Sequence, residues 1–391
     1  MQSSDATRSS KGLLTVVEAA VLLHSLEISL RERYQRTGRL KDLEAAIALL
    51  VAAVKLTPQD HPNRARFLSI LGDCFGSRYE RTGNLQNLRA AIIQSAAAVE
   101  AIPTDHPSRA VVLGNLGNHL GSRYKRTGNL RDLKAAIARL LTAVEATAED
   151  DPSRAALLNN LGGCLGWRYE QTGNLADLQA AIARTEAAVG AAPEDRPDRA
   201  AWLSNLGAYL SRLYKRTGNL QDLEAAIVRS EAAAEATPEY HPNRAAMLGN
   251  LGSHLSMRYE QTGNLRDLEA AIYRSEAAVE AMPEHHPSRV AVLSNLGNHL
   301  TLRYERTDNL QDLEAAIARL AAAVGATPKD HPDHAGRLNK LGNHLSKLYE
   351  KPAGLGDCHW PIGGSSGSNT RGTFQSSRAV GESWEPVEQA I

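Results

Sequence analysis

Net charge is the first thing this chain does without: Lys+Arg and Asp+Glu each number 44 over 391 residues. No basic field exists of the kind that phosphate-backbone binding needs, or that would draw the protein to anionic membranes, so nucleic acid and membrane partners are not expected. Long apolar runs are missing too. The longest, Leu13 to Leu26, is interrupted by Glu18 and His24 and is too short and too polar to span a bilayer. It falls in register with the repeats described below, which makes it a first helix rather than a signal-peptide core. Cysteine is scarce: Cys74, Cys164 and Cys358 show no close pairing and no C-x-x-C. That argues against a disulfide framework and fits a reducing compartment, with the cytoplasm as the expected location. Strand alternation is also lacking, so sheet content near zero is expected.

What the chain has instead is a period. Tyr34, Tyr79, Tyr124, Tyr169, Tyr214, Tyr259, Tyr304 and Tyr349 stand 45 residues apart without an insertion or deletion. Such self-similarity means an array of supersecondary units, each burying its apolar face against its neighbours. At 100° per residue Leu116, Gly117, Leu120 and Tyr124 fall within about 60° of Leu113, one stripe of a helix A. The pattern predicts entry after Asp105-His106 with Pro107 at the first helical position, and exit through Thr127-Gly128 with a left-handed glycine. Asn129 then reads as an N-cap, with Asp132 as the acidic half of a capping box. Leu130, Leu133, Ile137, Leu140 and Val144 stripe helix B, and Ala135, Ala136 and Ala143 allow close approach. Each unit is thus expected to be an antiparallel helix pair. Glycine marks the same exit at Gly38, Gly83, Gly173, Gly218 and Gly263, but Asp308 stands there in the seventh unit, at a cost of about 1 kcal/mol if left-handed.

Leu113, Asn115-Leu116-Gly117-Asn118, Leu120, Ala136-Ile137, Leu140 and Ala143 resemble the tetratricopeptide repeat signature, whose terminal proline is matched by Pro58, Pro103, Pro193, Pro238, Pro283 and Pro328, with Ala148 the exception. The resemblance implies an all-α, right-handed superhelical solenoid of antiparallel pairs, here seven full pairs plus a closing helix. Each unit is about eleven residues longer than the usual repeat of about 34, so longer helices are implied. Such lengthened repeats are similar to those of kinesin light chains and of fungal arrays found beside a nucleotide-binding switch (NACHT) or caspase-like (CHAT) domain. Neither a Gly-x-x-x-x-Gly-Lys-Ser/Thr loop nor a His/Cys dyad in an α/β segment occurs in these 391 residues.

The array is expected over residues 14–350, preceded by a disordered N-terminus at 1–13. Pro352 interrupts the eighth unit, and residues 351–391 read as a degenerate repeat remnant and a Ser/Gly-rich disordered tail.

On the same wheel Asn118, Ser122 and Asn115 lie opposite the apolar stripe. The resemblance implies that this side lines a concave groove that binds extended peptides. One column reads Asn115, Asn160, Asn205, Asn250 and Asn295, framed by Ile70 and Lys340. Each amide there offers a donor and an acceptor, which suits a peptide backbone. Asn118, Asn298 and Asn343 share the face. A second column, Ser77, Ser122, Trp167, Arg212, Met257, Leu302 and Lys347, changes at nearly every repeat and suits side-chain anchoring. The bland alternative is solvated surface for the first column and drift for the second.

His119, His254, His299 and His344 share a column with Cys74, Cys164 and Tyr209. Helices packed about 8–10 Å apart cannot bring successive rings to one zinc, which holds nitrogen at about 2.0–2.1 Å, so these are read as inter-repeat packing, without metal. His61, His106, His241, His286 and His331 precede prolines and read as helix-entry residues. Arg64, Arg109, Arg154, Arg199, Arg244 and Arg289 after the proline, and Arg78, Arg123, Arg168, Arg258 and Arg303 before the tyrosine, read as inter-repeat ion pairs. No cofactor and no convergent catalytic set is expected. The chain is therefore read as a non-enzymatic protein-interaction scaffold. The alternatives are the sensor array of a multidomain enzyme, and a module that self-associates through its incomplete eighth unit.

Overall fold

The structure, a computed structural model, describes residue 22 and residues 25–349, apart from 240, 242, 285, 287, 330 and 332. The expectations for residues 1–13 and 351–391 lie outside the described residues. Among those described there are fifteen helices and no strand. The first compact unit, Met1–Arg196, holds α1 (residues 25–37), α2 (Leu40–Leu56), α3 (Asn63–Thr82), α4 (Leu85–Ala101), α5 (Arg109–Thr127), α6 (Leu130–Glu145), α7 (Arg154–Thr172) and α8 (Leu175–Ala191). The second, Pro197–Ile391, holds α9 (Arg199–Thr217), α10 (Leu220–Glu235), α11 (Arg244–Thr262), α12 (Leu265–Ala281), α13 (Arg289–Thr307), α14 (Leu310–Gly325) and α15 (His334–Tyr349). Odd numbers are A helices and even numbers B helices. In the first unit α3 pairs with α4, α5 with α6 and α7 with α8; in the second α9 pairs with α10, α11 with α12 and α13 with α14. Each B helix also packs on the next A helix of its unit.

The A-to-B turn follows from three residues. Gly128 takes φ 70° and donates its N–H to the Tyr124 carbonyl at 2.7 Å. The Thr127 hydroxyl donates to the Arg123 carbonyl and accepts from the Asn129 N–H, and the Asn129 side chain accepts from the Arg131 N–H at 3.1 Å. Asp308 adopts φ 56° and makes the same bond to Tyr304, the one described non-glycine residue at positive φ. With two residues between helices, the pair must run antiparallel.

Two local expectations are corrected. Asp132 does not reach back as a capping box; its buried carboxylate takes two bonds from Arg123, at 2.7 and 2.5 Å, across the turn. Arg168–Asp177, Arg258–Asp267 and Arg303–Asp312 repeat this fork. A bidentate charged pair nine residues away outcompetes the local N–H. The second correction is at the helix entry. Helix α5 begins at Arg109, two residues past Pro107, because His106 makes its own turn: its Nδ1 accepts from the Ser108 N–H at 3.0 Å. His61, His241, His286 and His331 do likewise, and Asp151 substitutes its carboxylate.

Among the described residues the loop arginines are not ion-paired across repeats either. Arg109 donates to the carbonyls of Ile102 (2.6 Å) and Val99 (3.2 Å), the unsatisfied end of the preceding B helix. Arg64, Arg154, Arg244 and Arg289 close α2, α6, α10 and α12 in the same way. A cation there complements the helix dipole as well as the free carbonyls.

The recurring Leu-Gly step is a matter of clearance. A Cβ on Gly252 would stand 2.6 Å from Ser275 Oγ and 3.0 Å from the Ala271 carbonyl; one on Gly117 would stand 2.7 Å from Leu140 Cγ. The neighbouring leucines, Leu116 and Leu251 among them, fill the space that this approach closes, and alanines such as Ala136 and Ala271 line the opposing face.

Candidate peptide-binding face of the A helices

Asn115 of α5 donates its amide to Asp73 of α3 at 2.9 Å, and Asn295 of α13 donates to Ser253 of α11 at 2.9 Å. In both cases the acceptor stands 42 residues earlier, on the preceding A helix. The corresponding residue for Asn250 is Ala208, which has no acceptor. Asn250 and Asn205 are exposed, on adjoining A helices α11 and α9, and neither amide has a hydrogen bond to the described chain. Asn160 is half-buried and accepts from Asn159 at 3.5 Å. Asn118 and Asn298 are half-buried; Asn343 is exposed.

The variable column lies lower, where adjoining A helices meet. Trp167 is half-buried, its ring centroid 6.0 Å from that of Tyr124, and a Cβ on Gly121 would come 3.3 Å from its Cζ3. Met257 packs partly buried against Tyr214, Leu251 and Leu255, with its sulfur 3.9 Å from the Ser211 hydroxyl. The Arg212 guanidinium lies 5.8 Å from the Tyr209 ring centre. Leu302 is half-buried, and Lys347, exposed, donates to Glu305 at 2.5 Å. Trp167, Met257 and Lys347 thus touch the preceding A helix, Arg212 lies over a ring of its own helix, and all five leave an edge to solvent.

The histidine column packs between repeats, as expected. His119 Nδ1 lies 3.0 Å from Ser95 Oγ, His254 Nδ1 3.0 Å from Ser230 Oγ and His299 Nδ1 3.3 Å from Ser275 Oγ. Burial pushes all three imidazoles down to about 4. Lys215 adds to the effect at His254, whereas the Ala271 carbonyl opposes it at His299. Asp73 Oδ1 lies 4.0 Å from His119 Nε2, which completes a Ser–His–Asp trio. Ser95 is wholly buried, so its hydroxyl cannot meet a substrate, and burial raises Asp73 to about 7. The arrangement is a packing contact. Among the described residues no group of three His, Cys, Asp or Glu side chains could hold a metal ion.

The serines were not singled out from the sequence, yet a signal existed. Residues 24 apart vary together: Ser95, Ser230 and Ser275 go with His119, His254 and His299, whereas Leu50 and Leu140 go with Cys74 and Cys164. At α15 the match fails. Leu320 stands 24 residues before His344, whose Nδ1 turns to its own Lys340 carbonyl and whose buried Nε2 has no hydrogen-bond partner.

Among the described residues no helix is long and apolar enough to cross a membrane. Curated proteins offer no match to the chain. Among solved structures, the nearly identical TPR-like repeats of a Podosopora anserina protein described as a kinesin light chain are 22% identical, covering 55% of this chain and 97% of that one at a TM-score of 0.39. BtubC (BKLC) from P. vanneervenii is 17% identical over 70% of this chain and 94% of its own, at 0.38. MamA is 17% identical over 53% and 91%, at 0.36. Residues 154–198, 199–238 and 289–333 match the tetratricopeptide repeat family. By that match these three segments are tetratricopeptide repeats, and the other described helix pairs share their antiparallel design.

Proposed function

We propose that this repeat scaffold holds an extended peptide of a partner protein in the cytoplasm, and that the second unit reads the peptide backbone through Asn205 and Asn250. The observation that carries this reading is the state of these two amides. They hold one repeat position on adjoining A helices, are exposed, and make no bond to the described chain. Each can give an N–H and take one, the complement of an extended backbone. The half-buried Arg212, Met257 and Leu302 beside them supply edges for side-chain contact. The buried free thiols of Cys74 and Cys164 suit a reducing compartment.

The test is selection of peptides from a random display library on the full chain, followed by affinity measurement with Asn205→Ala/Asn250→Ala. About tenfold weaker binding per lost amide is expected, with the melting temperature unchanged. Unchanged affinity for every selected peptide would overturn the reading.

One observation favours self-association as a second reading. No described residue covers the side of α15 that would face a B helix: Tyr349 is 88% exposed against 7% for Tyr304, and Gly342 has open space where Gly297 has Leu320. Light scattering of the full chain against a chain lacking residues 332–391 tests it, with loss of a dimer as the expected result.

A further inference from the structure

At five of the joints between successive repeats the contact is of one of two chemical kinds. At α2/α3 the pair is apolar, with Leu50 and Cys74 in one buried cluster, and at α6/α7 the buried Leu140 and Cys164 hold the same positions. At α4/α5, α10/α11 and α12/α13 a buried serine instead meets an imidazole, buried at His254 and His299 and partly buried at His119. We propose that the second unit opens on acidification at α12/α13 and α10/α11, because a buried imidazole that takes up a proton carries a charge that its serine can hydrogen-bond but not neutralise, while the leucine–cysteine joints of the first unit stay closed.

The groups around each ring determine the pattern. His299 of α13 meets Ser275 and the Ala271 carbonyl of α12, and no charged side chain among the described residues offsets the buried charge of a protonated ring. His254 of α11 meets Ser230 of α10 and is further opposed by Lys215 of α9. A lysine disfavours the protonated ring in the closed joint but not in the open one, so α10/α11 loses at least as much as α12/α13 as pH falls. His119 of α5 differs, since Asp73 of α3 lies 4.0 Å from its Nε2 and Asn115 donates to the same carboxyl; Arg31 of α1 also acts on Asp73. The two titrations at α4/α5 carry opposite signs. A histidine lowered by burial favours the folded state above its usual range and loses that contribution as pH falls. A carboxyl raised by burial binds its proton more tightly folded than unfolded, and gains in the same direction. The α4/α5 joint is therefore offset in part, by a carboxyl whose side chain is itself 37% exposed, and the two joints of the second unit are not.

Hydrogen exchange of the full chain at pH 7 and pH 4.5, with labelling times scaled for intrinsic exchange, reads each joint separately. Protection in α12 and α13 is expected to fall about fiftyfold, the ratio of proton binding by an open ring of ordinary pKa to that of the closed ring. The loss at α10 and α11 should be at least as large, and α6 and α7 should keep their protection. Ser275→Leu with His299→Cys converts the joint to the apolar kind and should abolish the loss at α12/α13. His299→Gln, which keeps a neutral hydrogen-bonding side chain, should do the same and guards against misfolding of the double variant. Even loss across all joints, full protection at α12/α13 in the wild type, or a loss that survives both variants would overturn the proposal.

Discussion

Asn295 and Asn250 hold the same place in two neighbouring repeats and do different things. Asn295 is tied to Ser253 on the preceding A helix; Asn250 faces Ala208 and is left to solvent. The letter that decides is 42 residues away, not beside them. The same contrast divides each A helix lengthwise. One side meets other helices and tolerates little; the other leaves amides such as Asn205 and Asn250 exposed, the face we propose for a ligand.

Acid should separate the two sides most strongly. His254 and His299 are lowered to about 4 by burial, so an unfolded chain takes up their protons first. Their contribution is intact above about 6.5 and is lost as pH falls from there to about 4, roughly 3 kcal/mol per ring at the limit. Chemical denaturation followed across that range should show it, while Asn250→Ala should leave the pH profile unaltered.

Gly252→Ala comes next. The added methyl meets a serine oxygen and a backbone carbonyl at 3.0 Å or less, and about 2–3 kcal/mol of stability should be lost. Gly163→Ala, at the Asn118 position of α7 with nothing within 4 Å, should be neutral or gain up to about 1 kcal/mol. Urea midpoints of the two variants compare the two sides directly. Equal midpoints would remove the contrast.

Arg258→Ala strips a buried carboxylate of both its bonds, and about 2 kcal/mol is expected, less than for a fully buried pair because the arginine is partly exposed. Thermal melts with Arg258→Ala, Asp267→Ala and both together should show that the double variant costs less than the sum of the singles.

The smallest effect is the most pointed. Asn295→Ala should lose about 1 kcal/mol, because its bond to Ser253 goes, while Asn250→Ala should lose nothing measurable. Ala208→Ser should then give Asn250 an acceptor, add a few tenths of a kcal/mol and weaken peptide binding by occupying the amide.

Much of this was legible in the chain. The 45-residue beat of tyrosines, the Thr-Gly-Asn turn and the crowded Leu-Gly step are local patterns, and each maps onto local geometry. The errors arose where one spacing served two chemistries. Asp132 lies three residues past an N-cap, as a capping box requires, but also nine past Arg123 across a tight turn, and the forked charged pair prevailed. Pro107 suits a first helical position, but His106 completes a turn of its own ahead of the helix. The loop arginines stood near carboxylates in sequence, whereas the free carbonyls of the preceding helix, invisible as letters, were nearer in space. The asparagine column was visible, but not its division into tied and free members, because the partners lie on another helix.

The most direct test of that division is the side-chain amide spectrum of the full chain, with asparagine selectively labelled with nitrogen-15, as a library-selected peptide is added. The account predicts that the amide signals of Asn205 and Asn250, assigned by single alanine substitutions, shift with added peptide while those of Asn115 and Asn295 stay in place. Shifts confined to the tied asparagines, or to none of the four, would contradict it.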